Sequence, residues 1–241
     1  MDELGKILVI IPTYNERTNL PLITDRVRRC TPDVDILVVD DNSPDGTGEL
    51  ADRMAATDPQ LKVLHRTAKD GLGAAYIAGF RWAIAQGYDV MVEMDADGSH
   101  QPEQLDSLLG ALGSADLVLG ARWVPGGRAV NWPKYREAIS RTGNFYARHM
   151  LSIPLHDATG GYRAFRRETL EKLDLDTVDS RGYCFQIDLA LRAYRGGLRV
   201  VEVPITFTDR VHGTSKMSQA IVLEAMWRVT QWGVRGRLRR R

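Results

Sequence analysis

The stretch VMVEMDAD, Val90 to Asp97, is an apolar run that ends in two carboxylates, Asp95 and Asp97, spaced two residues apart. Successive side chains of a strand point to opposite faces, so this spacing sends both aspartates off one face at the strand's C-terminal end. Two carboxylates placed there offer hard oxygen ligands for a divalent cation held against a phosphorylated ligand. The spacing excludes an EF-hand calcium loop. Counting from Asp95, the glycine falls at the fourth position, Gly98, rather than the sixth, and Glu103 arrives too early to be the bidentate ligand.

Outward from this stretch, short β-branched runs recur at 6–11, 36–39, 62–65, 117–120 and 200–205. Between them lie segments with helical length and caps, at 20–29, 46–56, 71–86 and 102–112. Alternating strands and helices predict an α/β fold with a mostly parallel sheet covered on both faces, in which ligands gather at the carboxyl ends of the strands. The polar motifs fall at those ends: residues 12–16 follow the first run, 40–43 the second, Asp95 and Asp97 the fourth, and 120–122 the fifth. Four clusters on one rim define a pocket rather than four unrelated turns.

Gly71 and Gly73 open a partial dinucleotide-binding pattern whose third glycine would fall at Tyr76, so that reading fails. The small residues Gly71, Gly73, Ala74, Ala75, Ala78 and Gly79 either pack their helix tightly on the sheet or leave room for a sugar. There are no internal repeats and no low-complexity linker.

With 241 residues and 44% hydrophobic content, the chain can build one large core. A formal charge of +1 gives no global attraction to nucleic acid. Cys30 and Cys184 lack metal-ligand spacing and read as free thiols of a reducing compartment, with the cytoplasm the expected location. The first residues carry no secretory pattern, and no segment reaches the roughly eighteen apolar residues of a spanning helix.

Together, PTYNE at 12–16, DDNSPDGT at 40–47, DAD at 95–97 and GAR at 120–122 resemble the GT-A glycosyltransferases of family 2, which use nucleotide sugars and a divalent metal. The second half narrows the likeness. Residues 131–133, Arg136 with 139–141 and Asn144, 157–163, 182–186 and 202–216 are similar to the dolichol-phosphate and polyprenol-phosphate mannose synthases. The resemblance implies a Rossmann-like GT-A domain over 1–215, followed by a C-terminal amphipathic helix and basic tail over 216–241.

It also implies an inverting transfer of mannose from GDP-mannose to a polyprenyl monophosphate, with Mg²⁺ or Mn²⁺ as cofactor. Carried over by motif, Pro12, Tyr14 and Glu16 border the nucleotide and Asp40 contacts base or ribose. Asp95 and Asp97 hold the metal. The family often has glutamine two residues beyond the second aspartate; Ser99 stands there in this chain as a weaker oxygen ligand. His100 beside it reads as structural. The acceptor phosphate is already ionised, so the resemblance implies no general base but a set of cations, Arg122, Arg136, Arg210 and Lys216, with Ser140 as a hydroxyl donor. The residue-level alternative for those arginines is salt bridging to the chain's own carboxylates. Arg163, Gln186 and Asp188 shape or brace the sugar pocket.

A lipid acceptor requires a site at a bilayer. Ile221, Val222, Ala225, Met226, Val229, Thr230 and Trp232 form an apolar helical stripe with Trp227 nearby, and 235–241 holds five arginines in seven residues. These predict either an interfacial anchor or a helix packed on the domain with a solvated tail. The expected form is peripheral on the cytoplasmic face of the membrane, alone or with a small membrane-anchoring subunit. Rivals are the same transfer from UDP-glucose, a non-catalytic nucleotide-sugar-binding regulator, and an elongating transferase with a hydroxyl acceptor, whose Gln-x-x-Arg-Trp signature is not matched at 182–186.

Overall fold

The computed structural model describes residues 4–178, 183–210 and 219–238. Its first half alternates as the β-branched runs dictate: β1 (Ile7–Thr13), α1 (Leu20–Cys30), β2 (Asp35–Asp40), α2 (Thr47–Ala55), β3 (Leu61–His65), α3 (Leu72–Ala85) and β4 (Val90–Glu93). A short 3-10 turn at Pro102–Gln104 leads into α4 (Leu105–Ala111), so the helical segment expected over 102–112 is broken at its start. Then follow β5 (Leu117–Ala121), β6 (Arg128–Val130), α5 (Lys134–Leu151), β7 (Arg163–Arg166), α6 (Arg167–Lys172), α7 (Tyr183–Arg195), β8 (Val200–Pro204), β9 (Thr206–Thr208) and α8 (Gln219–Leu238).

The main sheet has the order β3-β2-β1-β4-β7-β5-β8. It is parallel except at β7, which runs antiparallel to both β4 and β5. The central strands are buried on both faces, which is why they read as continuous apolar runs rather than alternating ones. Two hydrophobic layers result, one built on Leu8, Ile10, Leu37 and Phe80, the other on Val9, Ile11, Ile36 and Leu108.

β7 is a correction to the sequence reading, which contained no strand there. Its four residues, RAFR, hold only two apolar side chains, and the charged Arg163 at its start is fully buried by contacts described below. The small residues of α3 are settled in favour of packing. A Cβ at Gly79 would lie 2.7 Å from Ile10 Cγ2 of β1, and one at Gly73 would lie 2.8 Å from Phe185 of α7. Gly79→Ala is expected to lower unfolding stability by about 1–2 kcal/mol in a denaturant titration. Overpacking of about 1–3 kcal/mol exceeds the ~1 kcal/mol that alanine regains as a helix former.

At the C-terminal end, α8 docks on α5 and α7. Val229 is buried, Ala225 and Trp232 are half-buried, and Thr230 Oγ1 lies 2.6 Å from Tyr146 Oη. Met226 and Trp227 face outward, with Trp227 69% exposed. The stripe residues Ile221 and Val222, and the tail side chains from 237 onward, lie outside the described side chains. Among the described residues, no helix is long and apolar enough to cross a membrane. Cys30 and Cys184 are free thiols.

Candidate active site

The loops that follow β1 and β2 are tied together by Asp40. Its Oδ1 accepts from Thr13 Oγ1 (2.8 Å) and Ser43 Oγ (2.6 Å), and its Oδ2 accepts from the Ser43 amide (3.0 Å). The side chain is thus turned into the loops, and an ionised carboxylate with about four acceptor positions retains one for another donor. Asp41 pairs with Arg66 at 2.5 Å, and burial raises its pKa against that arginine's pull. Pro12 is half-buried beside them. The Tyr14 ring carries Lys69 Nζ 3.8 Å from its centroid, and Glu16 accepts from Asn19 Nδ2 at 2.7 Å. Sequence reasoning missed Lys69, because a lone lysine in a loop has no signal until its aromatic partner is placed.

β4 ends at Glu93, so Asp95 and Asp97 lie in the turn that follows the strand, and their directions are set by that turn rather than by the strand alternation expected for them. Tyr76 Oη donates to Asp95 Oδ1 (3.3 Å), and the Asp95 amide donates to His100 Nδ1 (3.0 Å). Asp97 Oδ1 accepts from the Ser99 amide (3.0 Å), and Arg210 lies 3.2 Å from Asp97 Oδ2. Burial raises the pKa of Asp95, with the Asp97 charge pushing the same way, while burial lowers that of His100. Negative charge in this dry corner calls for a cation. Ser99 Oγ is buried beside the pair and finds no hydrogen-bond partner among the described residues.

Two residues before Asp95, at the end of β4, Glu93 is fully buried, and neither of its carboxyl oxygens meets hydrogen-bond geometry among the described residues. Burial pushes its pKa up to about 8, with Arg163 at 3.9 Å opposing. Arg163 itself donates to the carbonyls of Gly160 (2.8 Å), Gln186 (2.7 Å) and Ala158 (2.7 Å), so it braces the 157–161 loop against α7. Gln186 is buried with its amide beside the Glu93 carboxylate, whose charge it favours without meeting strict hydrogen-bond geometry, while Asp188 pairs with Arg192.

A consequence for stability follows. The folded pKa of Glu93 lies above its unfolded value, so the folded state binds the extra proton between pH 4.5 and about 8. Stability is therefore expected to fall through that window as pH rises, by up to about 1.4 kcal/mol per pH unit from this group. Urea unfolding at pH 6 and pH 8 checks it: Glu93→Gln should flatten the difference between the two.

On the other side of the rim, at the end of β5, Arg122 is buried against Asp157. Its Nε and amide reach Asp157 Oδ2 at 2.7 and 2.8 Å, and its Nη2 reaches Oδ1 at 2.7 Å. Asn144 of α5 also donates to Asp157 (3.2 Å), and Glu202 of β8 accepts the Asp157 amide (2.7 Å). Arg136 of α5 pairs with Asp209 (2.8 Å) and stacks over Trp132 at 4.2 Å from the ring centroid. Both Arg136 Nε and Trp132 Nε1 are buried donors with no acceptor among the described residues. Ser140 Oγ accepts from Trp123 Nε1 (3.2 Å), which leaves its own proton available.

Arg122, Trp132, Arg136 and Ser140 line a groove whose walls also include Ile139, Tyr146, Ile187, Met226 and Val229 of α5, α7 and α8. The structure therefore brings Arg122, Arg136 and Ser140 together on one side and Asp95, Asp97, Ser99 and Arg210 on the other. The adjacent residues Asp209 and Arg210 link the halves, each pairing with one of them. Lys216 lies outside the described residues. Asp209 and Asn144, which fall within the motifs read from the sequence but were given no site role there, join Lys69 as additions from the structure.

A parallel, Rossmann-like sheet with an aspartate pair at the end of its fourth strand defines a GT-A glycosyltransferase. Solved structures agree on the fold. Glucosyl-3-phosphoglycerate synthase from Mycobacterium tuberculosis, in complex with Mn²⁺, UDP-glucose and phosphoglyceric acid, superposes with a TM-score of 0.69 at 20% identity over 95% of this chain and 80% of that one. The chain belongs to glycosyl transferase family 2, whose model matches residues 8–174.

Among curated proteins it is 61% identical to the polyprenol monophosphomannose synthase of Mycolicibacterium smegmatis, over 98% of this chain and 89% of that protein. It is 60% identical to the undecaprenyl-phosphate mannosyltransferase of Micrococcus luteus, over 96% of each. The dolichol-phosphate mannosyltransferase of Pyrococcus furiosus is 36% identical over 94% of this chain and 64% of that protein.

Proposed function

We propose that this enzyme transfers mannose from GDP-mannose to a polyprenyl monophosphate at the cytoplasmic face of a membrane, with inversion. The observation that carries the reading is the groove: its lining joins apolar side chains to Arg122, Arg136 and Ser140, and Arg136 Nε and Trp132 Nε1 are buried donors without acceptors among the described residues. That is a negative image of an apolar chain with an anionic head. The names of the relatives agree with it.

In this reading Arg122, Arg136 and Ser140 hold the acceptor phosphate and aim one oxygen at the anomeric carbon of the sugar. That oxygen is already ionised, so no side chain needs to remove a proton, and positioning supplies much of the catalysis. Arg210, beside Asp97, faces the charge that grows on the departing diphosphate. Asp40 holds the nucleotide loops with Pro12, Tyr14 and Glu16 along the base and ribose.

The donor set at β4 fits Mg²⁺ or Mn²⁺. Among the described residues no cluster of three or more His, Cys, Asp or Glu side chains stands ready for a metal, so the cation would be held by Asp95, Asp97 and the unpartnered Ser99 Oγ, with phosphate oxygens completing its shell. Such a cation, when bound, neutralises charge on the leaving nucleoside diphosphate.

Beyond the groove, Tyr135 and Phe145 of α5 join Met226 and Trp227 of α8 as exposed large hydrophobic side chains. We assign this face to the bilayer surface. Flotation with anionic vesicles tests whether lipid suffices or a small membrane-anchoring subunit is needed; protein that stays unbound to pure lipid favours the subunit.

Gly143→Leu tests the groove. Gly143 lines it, and a Cβ there meets nothing within 4 Å. Leucine in mid-helix should leave stability unchanged or raise it by up to about 1 kcal/mol. The side chain would obstruct the groove, so KM for polyprenyl phosphate should rise while donor binding is unaltered. An unchanged acceptor KM would place the lipid elsewhere.

A further inference from the structure

We propose that His100 is a positioning residue that locks the aspartate loop into its cation-binding shape, by accepting the Asp95 amide at Nδ1. This rests on the reading of Asp95 and Asp97 as metal ligands given above. The loop from Asp95 to His100 closes on itself through that one bond of 3.0 Å. The oxygen donors Asp95, Asp97 and Ser99 alternate inside the ring so formed, and the turn is completed by the Ser99 amide on Asp97 Oδ1 and by a left-handed Gly98 with φ +74°.

The imidazole is held from outside the loop as well. Tyr162, just before β7, stacks on it with centroids 5.0 Å apart and planes 12° from parallel. Phe207 of β9 meets it edge-on at 5.6 Å. A second link supports the same loop, since the Thr208 amide donates to the Ser99 carbonyl at 3.1 Å. Because Nδ1 accepts an amide proton, the ring's own proton sits on Nε2. A ring pinned on two faces fixes the direction of the Asp95 backbone, and hence where its carboxylate can point. Removing an outer partner of a metal ligand typically weakens metal binding by about 10–100-fold.

The experiment is Mn²⁺ affinity, read by electron paramagnetic resonance on the full chain in the presence of GDP. His100→Asn keeps an acceptor close to the Nδ1 position, whereas His100→Gln carries its amide out to the Nε2 position. The expected result is near-native affinity for His100→Asn and a loss of at least about tenfold for His100→Gln. Both substitutions are polar and similar in burial, so a general packing defect would affect them alike. Equal affinities for the two variants and the unaltered chain would overturn the proposal and reduce His100 to filler between Tyr162 and Phe207. Asp95→Asn serves as the reference: if it also binds Mn²⁺ normally, the metal reading itself fails, which is a separate result.

Discussion

Asp97→Asn is expected to abolish sugar transfer while leaving the fold as stable as before. The asparagine can still accept the Ser99 amide, so the turn survives. What disappears is one of two like charges crowded into a buried corner, where burial and mutual repulsion already raise the pKa of Asp95. Relieving that repulsion offsets the loss of the Arg210 contact at 3.2 Å, so the melting temperature should be unchanged or slightly higher. Activity should behave in the opposite way. A carboxylate ligand of a charge-neutralising cation contributes several kcal/mol to the transition state, so loss of about 4 kcal/mol lowers the rate by about 10³-fold. Initial rates at saturating Mn²⁺ together with a thermal melt check both halves.

The second large effect is at Arg122, and there stability and activity should fall together. Asp157 is fully buried and takes two of its hydrogen bonds from the Arg122 guanidinium. Arg122→Ala leaves that carboxylate without its countercharge, and removal of one partner of a buried pair costs about 3–5 kcal/mol. The amide of residue 122, Asn144 and Thr159 still donate to it, which places the expected loss near about 3 kcal/mol. Adding Asp157→Asn to Arg122→Ala should restore most of that stability, since no uncompensated charge remains. Transfer should stay at least about 100-fold below the unaltered enzyme in both variants, because the phosphate has lost a charged donor. Denaturant unfolding of the single and double variants separates the structural role of Arg122 from the role toward the acceptor proposed for it.

Much of this architecture was legible along the chain because parallel strands buried on both faces must be apolar throughout. Ile7 to Ile11 and Val90 to Val92 therefore announce themselves, and the polar residues that end them mark the rim. β7 was hidden because its pairing partners satisfy the backbone of a segment with arginines at both ends. Arg163 looks like a surface residue until the turn before it supplies the carbonyls of Ala158 and Gly160, and α7 that of Gln186. Glu93 was hidden for the opposite reason: inside VMVEM it reads as one outward-facing residue, whereas β4 is buried throughout and the Glu93 carboxylate lies beside Arg163 of β7 and Gln186 of α7.

The site was legible where motif and chemistry coincide, at Asp95 and Asp97, and illegible where it depends on long-range pairs. Arg136 meets Asp209 across 73 positions, and Arg122 meets Asp157 across 35. No local pattern announces such partners. Asp40 illustrates a third situation, in which the residue is prominent in its motif but its carboxylate spends three acceptor positions on Thr13 and Ser43.

The central claim is tested most directly by incubating the full chain with polyprenyl phosphate, Mn²⁺ and either labelled GDP-mannose or labelled UDP-glucose in detergent, and following label into the lipid phase. Mannosyl phospholipid formed from GDP-mannose, and lost with Asp97→Asn, is the predicted result. Label entering lipid only from UDP-glucose, or undiminished transfer by Asp97→Asn, would contradict it.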